Sequence, residues 1–162
     1  MPTIPNGLIP VTAPSGYSFA GPGGVTRTEV EGGSPRTALS YDRGQQSFSV
    51  ALVCSIEEFR MWTLFYHHVI KKGAISFDMS LDSGMGVATH TVTMFPESYQ
   101  ANCTNGSTWI VTFQVSAESG AYAYDSEAAA LVLEYYDAGV DLSLLLAALE
   151  TFSTVDSDVL DF

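Results

Sequence analysis

With 162 residues, of which 46% are hydrophobic and 12% aromatic, the chain has enough apolar material for one buried core. Its net charge of −12 is therefore a property of a folded surface, and an intrinsically disordered polyanion is excluded. Six Lys and Arg against eighteen Asp and Glu also exclude the basic stripe that nucleic-acid binding needs. The last fixed cation is Lys72; five carboxylates precede it and thirteen follow. Such a surface repels copies of itself unless a partner supplies cations or the negative field is useful in its own right.

The start, Met1-Pro2-Thr3-Ile4-Pro5-Asn6, lacks the basic opening and apolar run of a signal peptide, and no stretch approaches the roughly 20 apolar residues of a membrane span. The expectation is synthesis in a cytoplasm, with no membrane partner. Residues 1–44 hold six of the seven prolines and many glycines, which interrupt helices and central strands, so an extended arm with edge strands is expected. Val25 to Val30 and Thr37 to Tyr41 are the two short strands in it.

From Gln46 the pattern sharpens. Phe48, Val50, Leu52 and Cys54 alternate with smaller or polar residues, the signature of a strand with one apolar face. Ser55-Ile56-Glu57-Glu58 is a capping box, and a helix over 56–72 follows, with Phe59, Trp62, Tyr66, Val69 and Ile70 on one stripe. Met61, Leu64, Phe65 and His68 extend its apolar surface around much of the circumference. Lys71 and Lys72 suit a last turn, and Gly73 a left-handed cap. Ile75, Phe77, Met79 and Leu81 then alternate inward, Asp82 to Gly86 turns the chain, and Val87 to Phe95 returns as the second strand of a hairpin. Pro96 to Ser107 reads as a loop and Thr108 to Glu118 as a further strand.

The segment 119–162 changes character. Asp125-Ser126-Glu127 introduces a short helix over 128–136, and Asp141-Leu142-Ser143 a second over 144–152, with Leu142, Leu145, Leu146 and Leu149 on one face. The last ten residues, with Asp156, Asp158 and Asp161, are expected to fray or to dock on a partner. The whole reads as an α+β, mainly β fold: a small antiparallel β-sandwich or barrel over 45–118 flanked by one main helix, an extended arm over 1–44, and an acidic C-terminal segment over 119–162 with short helices.

A search for chemistry yields no catalytic constellation. His67 and His68 are helix neighbours that point about 100° apart, and His90 lies on a strand; none has metal-ligand spacing. Gly-x-Ser-x-Gly is missing, and Gly21-Pro22-Gly23-Gly24 lacks the Lys-Ser/Thr of a phosphate loop. Asp78 to Gly84 imitates a calcium loop only superficially, because Met79 and Leu81 belong to a strand. No catalytic, metal or cofactor-binding residue is assigned, and no cofactor. Cys54 and Cys103 are expected to be thiols in a reducing compartment. Arg27, Arg36 and Arg43 on the arm, with Tyr122 and Tyr124, are candidate subunit-interface residues, since Arg suits carboxylates on a neighbour.

The stretch from Arg36 to Asp82 resembles a family of bacteriophage tail structural proteins. An apolar strand, Phe48-Ser49-Val50-Ala51-Leu52, is followed by a helix of the form Glu-x-x-x-Trp-x-x-Phe-Tyr (Glu58, Trp62, Phe65, Tyr66) and by Gly73-x-x-x-Phe77-x-x-x-Leu81. The resemblance covers under a third of the chain. It implies a small β-sandwich or barrel with a flanking helix, repeated as a ring in the neck, tube or tail tip of a virion and made in a host bacterial cytoplasm. Partners would be copies of itself and other tail or neck proteins, with DNA passing through and not specifically bound. An acidic lumen suits that transit, because it offers phosphates no cations; Asp78, Asp82, Glu97 and Glu118 are the candidates to line it. Two rival readings stand beside this one. The first is a tail-tip or baseplate hub adaptor for receptor-binding proteins. The second is a soluble β-sandwich module for sugar or peptide, with Trp109, Tyr122 and Tyr124 as a stacking platform.

Overall fold

The computed structural model describes residues 1–5, 7–8, 17–139, 141 and 143–144. The chain divides into two units, Met1–Tyr122 and Ala123 onward. The fold is α+β and mainly β.

In the first unit one six-stranded antiparallel sheet carries nearly all the structure. Its centre is β4 (Gln45–Ser55) against β8 (Thr108–Glu118), paired over eleven residues from Gln45↔Glu118 to Ser55↔Thr108. β1 (Ser18–Ala20) lies on the outer edge of β4. The other edge of β8 is shared between two strands. β6 (Val87–Met94) pairs with Val115 and Ser116 through Thr93 and Met94 only, and β7 (Gln100–Cys103) pairs with Trp109 to Thr112. The turn between them serves the gap: the Phe95 amide donates to the Gln114 carbonyl at 2.9 Å, and the Ser98 hydroxyl accepts from the Gln114 amide at 3.1 Å. β7 falls inside the stretch expected to be a loop, and β1 inside the expected arm. Both strands are short, and neither shows a long alternation.

Having left β8, β6 pairs with β5 (Phe77–Asp82) from Val92↔Phe77 to Val87↔Asp82. The inward residues of all four long strands nevertheless belong to one cluster: Phe48, Val50, Leu52 and Cys54; Val111, Phe113, Val115 and Ala117; Phe77, Met79 and Leu81; Val92 and Met94. A single sheet whose one face lines a single core must curl around it, so the sheet is a partly closed barrel. The free edge of β5 is covered by the N-terminus. Asp78 accepts from the Ile4 amide at 3.0 Å and donates to the Pro2 carbonyl at 2.9 Å, and Leu8 enters the core.

The helix closes one end, with a change of pitch that the apolar pattern does not show. α1 (Ile56–Leu64) begins at the expected capping box: the Ser55 amide donates to Glu58 Oε2 at 2.7 Å, and the Glu58 amide to Ser55 Oγ at 3.3 Å. Phe65–Val69 form a π-helical turn, in which the Ile70 amide reaches back five residues to the Phe65 carbonyl at 3.0 Å. The extra residue per turn shifts the phase. Phe65 and Ile70 join Trp62 in the core, while Val69, expected on the buried stripe, is exposed. Lys71 and Lys72 are not in an α-helical last turn; both have left-handed backbone, φ 51° and 61°, before Gly73 at φ 92°. Ile75 precedes β5 and is exposed, contrary to the inward alternation expected of it.

The arm also forms a separate two-stranded ribbon, β2 (Val25–Thr28) with β3 (Arg36–Leu39), in register from Val25↔Leu39 to Thr28↔Arg36. In the second unit α2 (Ser126–Asp137) starts at Asp125, whose Oδ1 accepts from the Ala128 amide at 2.7 Å. The helix expected over 144–152, its leucine face and the final acidic residues lie outside the described residues, apart from Leu144. Among the described residues no helix is long and apolar enough to cross a membrane.

Candidate interaction surface

The α1 side of the barrel is spent on packing. Phe59 stacks on Trp109 at 4.2 Å and 2° between planes, Trp62 on Phe113 at 5.1 Å, Tyr66 on Tyr99 at 4.5 Å, and Phe65 meets Phe77 edge-on at 5.6 Å. Burial raises the Tyr99 phenol above its ordinary range, with a smaller opposing effect from the Trp62 indole. Trp62 Nε1 itself lacks a well-aligned acceptor, so the Tyr99 hydroxyl is beside it without forming a hydrogen bond of good geometry. Trp109 is half-buried under Phe59, which leaves that face of the indole unavailable for stacking on a sugar.

Both cysteines are free. Cys54 and Cys103 pair with the same residue, Trp109, from opposite sides. Two strand spacings, roughly 9–10 Å, then separate their backbones, beyond the roughly 7 Å limit for a disulfide. Burial, reinforced by the Glu58 carboxylate, pushes the Cys54 thiol up to about 11, which makes it an inert core group. Among the described residues no three His, Cys, Asp or Glu side chains converge as a metal site.

The candidate interface residues separate into two places. Arg43 is turned onto its own chain: its Nη2 donates to the Tyr122 carbonyl at 3.4 Å, its guanidinium lies 5.6 Å from the Tyr122 ring centre, and the Tyr122 hydroxyl accepts from the Gly44 amide at 3.0 Å. Arg43 and Tyr122 thus hold the root of β4 together. Arg27 and Arg36 stand on the ribbon, on opposite faces by the strand register. Arg27 pairs with Glu29 at 2.9 Å, the one ion pair among the described residues, and both partners are well exposed. Tyr124 belongs to the second unit and is half-buried.

The four candidate lumen carboxylates lie outside the barrel. Asp78 and Asp82 alternate with the inward Met79 and Leu81; Asp78 Oδ1 accepts from Thr91 Oγ1 at 2.7 Å, and Asp82 Oδ1 from the Gly84 amide at 2.8 Å. Glu97 sits in the turn after β6 with φ 60°, and Glu118 ends β8 on its exposed face. Any lumen they line is therefore one made between subunits. The barrel wall around them carries Ser80, Thr89, Thr91, Thr93 and Ser116, and none of the outward residues of β4, β5, β6 and β8 is a cation.

Two surfaces that sequence reasoning did not single out are apolar and uncovered. Every strand residue of the β2–β3 ribbon is exposed, including the cross-strand pair Val25 (64%) and Leu39 (66%). On α1, Met61 (55%) and Leu64 (56%) point away from the core. The available signal was a conflict: the ribbon residues alternate like a strand with a buried side, and the helix is apolar around more of its circumference than one core contact can cover. No protein-family model, curated protein or solved structure matches the chain.

Proposed function

We propose that the chain is a non-enzymatic structural protein of a tailed-phage virion, assembling as a ring in the tail or head-to-tail connection and leaving a channel through which DNA passes. The observation that carries this reading is the ribbon. A lone two-stranded hairpin is marginal in water, and this one shows apolar side chains and both strand edges to solvent. Such an element is stabilised when a neighbouring subunit covers it, and closed rings supply one such neighbour per subunit. The outward, cation-free wall bearing Asp78, Asp82 and Glu118 supports the same reading, because it gives passing phosphates nothing to bind.

Light scattering and negative-stain microscopy of the purified chain, alone and mixed with tail components, test the proposal. Rings, or incorporation of the labelled chain into tail particles, are expected. Infective particles assembled without the chain overturn it.

A further inference from the structure

We propose that the ribbon of one subunit seats its Val25–Leu39 face on the outward Met61–Leu64 stripe of α1 in a second copy of this chain. The inference rests on the ring reading above and names the two surfaces that meet.

Both surfaces are apolar, unpartnered and held by regular structure. Val25 and Leu39 are direct cross-strand partners, so their side chains leave the ribbon on one face; Arg27 and Thr37, the next pair with the same orientation, continue that face. Met61 and Leu64 are three residues apart on α1 and hence adjacent on its surface, opposite the buried Trp62 and Phe65. The charges around the two match. On the ribbon face Arg27 is neutralised by Glu29, which leaves Glu31 in the turn as the uncompensated charge. On the helix side, Arg60 adjoins Met61, and Lys71 and Lys72 are displayed by consecutive left-handed residues just beyond the π turn; these are three of the six cations in the chain. An apolar strip with an acidic tip thus faces an apolar stripe with a basic rim.

The two surfaces are different parts of the same chain, so their contact is head-to-tail. Such contacts repeat from copy to copy and close into a ring when the rotation allows. A ribbon pairing with another ribbon would instead stop at a dimer.

The test uses the full chain with Cys103→Ser, because Cys103 is the exposed thiol and Cys54 is buried. Chains carrying Leu39→Cys are mixed with chains carrying Leu64→Cys and oxidised. The proposal expects a disulfide-linked heterodimer well in excess of either homodimer, and none when Ser80→Cys on the barrel wall replaces Leu64→Cys. Separately, Leu39→Asp and Leu64→Asp should each weaken self-association by about tenfold or more with unchanged circular dichroism, since both positions are exposed in the subunit. Dominant Leu39→Cys homodimers overturn the surface pairing. Assembly by scattering without the heterodimer overturns it too and leaves the ring reading standing; a chain that stays monomeric with tail components present and never cross-links defeats both.

Discussion

The Tyr17 hydroxyl stands where a strand partner of Asp82 would stand: it donates to the Asp82 carbonyl at 2.6 Å and accepts from the Asp82 amide at 2.8 Å. One side-chain atom thereby satisfies both backbone groups at the end of β5 and ties that edge to the approach of β1, on the far side of the sheet order. With residues 2–4 on Asp78, it turns an open sheet into a nearly closed barrel.

Tyr17→Phe keeps the ring, which packs on Phe48 at 6.3 Å, and removes both bonds. Leaving the Asp82 groups without a partner should cost about 1–3 kcal/mol. Thermal unfolding should show a midpoint lowered by several degrees, and hydrogen exchange at the Asp82 amide should accelerate ahead of the β4–β8 amides. An unchanged exchange rate at Asp82 would show that the hydroxyl does not hold the edge.

The π turn makes neighbouring residues energetically unlike. Ile70 is fully buried and Val69 exposed, although a continuous α-helix gives them similar claims on the core. Ile70→Ala should cost about 2–5 kcal/mol and Val69→Ala well under 1 kcal/mol, measured by urea unfolding. Equal costs would mean that the helix runs on without the extra residue.

That contrast marks where the sequence was readable. Strands β4, β5, β6 and β8 and the start of α1 follow from period-2 alternation and a capping box, because half-burial and unpaired helix amides act within a few residues. The path from Leu64 to Gly73 depends on how Phe65 and Ile70 fit between Trp62 and Phe77, a tertiary demand that local periodicity does not carry. β1 and β7 are three and four residues long and owe their strand form to the edges of β4 and β8. The ribbon was read correctly as strands. Its lack of cover was not legible, since an alternating pattern looks the same whether the inward side meets its own core or another chain.

The pH dependence of stability should have two flanks. Hydrogen bonds from the Ser55 amide, and secondarily between the Ser55 and Glu58 side chains, lower the Glu58 carboxyl. A lowered folded value means stability present above the unfolded carboxylate range and lost as pH falls through the folded one. Cys54 works in the opposite sense: raised from 9.0 to about 11, it contributes nothing unfavourable below pH 9 and destabilises as pH climbs towards 11, because the unfolded thiol ionises first. Urea midpoints across pH should fall on both sides; Ser55→Ala should flatten the acid flank and Cys54→Ala the alkaline one. A slope that survives Cys54→Ala would assign the alkaline flank to other groups, with Tyr17 and Tyr99, both raised chiefly by burial, the first to test.

Phe59 and Trp109 decide how the aromatic end of the barrel is used. Their rings are parallel within 2° at 4.2 Å, so α1 occupies the indole face that a sugar-binding platform would leave open. A packing role predicts coupling: in a double-mutant cycle with Phe59→Leu and Trp109→Leu, the interaction energy should be about 0.5–1.5 kcal/mol. It also predicts that Trp109 fluorescence is unmoved by simple sugars and shifts to the red in Phe59→Ala, as water reaches the ring. If Phe59→Ala left stability intact and the indole responded to a glycan in the unaltered chain, the stacking platform would be the better account of Trp109, and the case for assembly would rest on the ribbon alone.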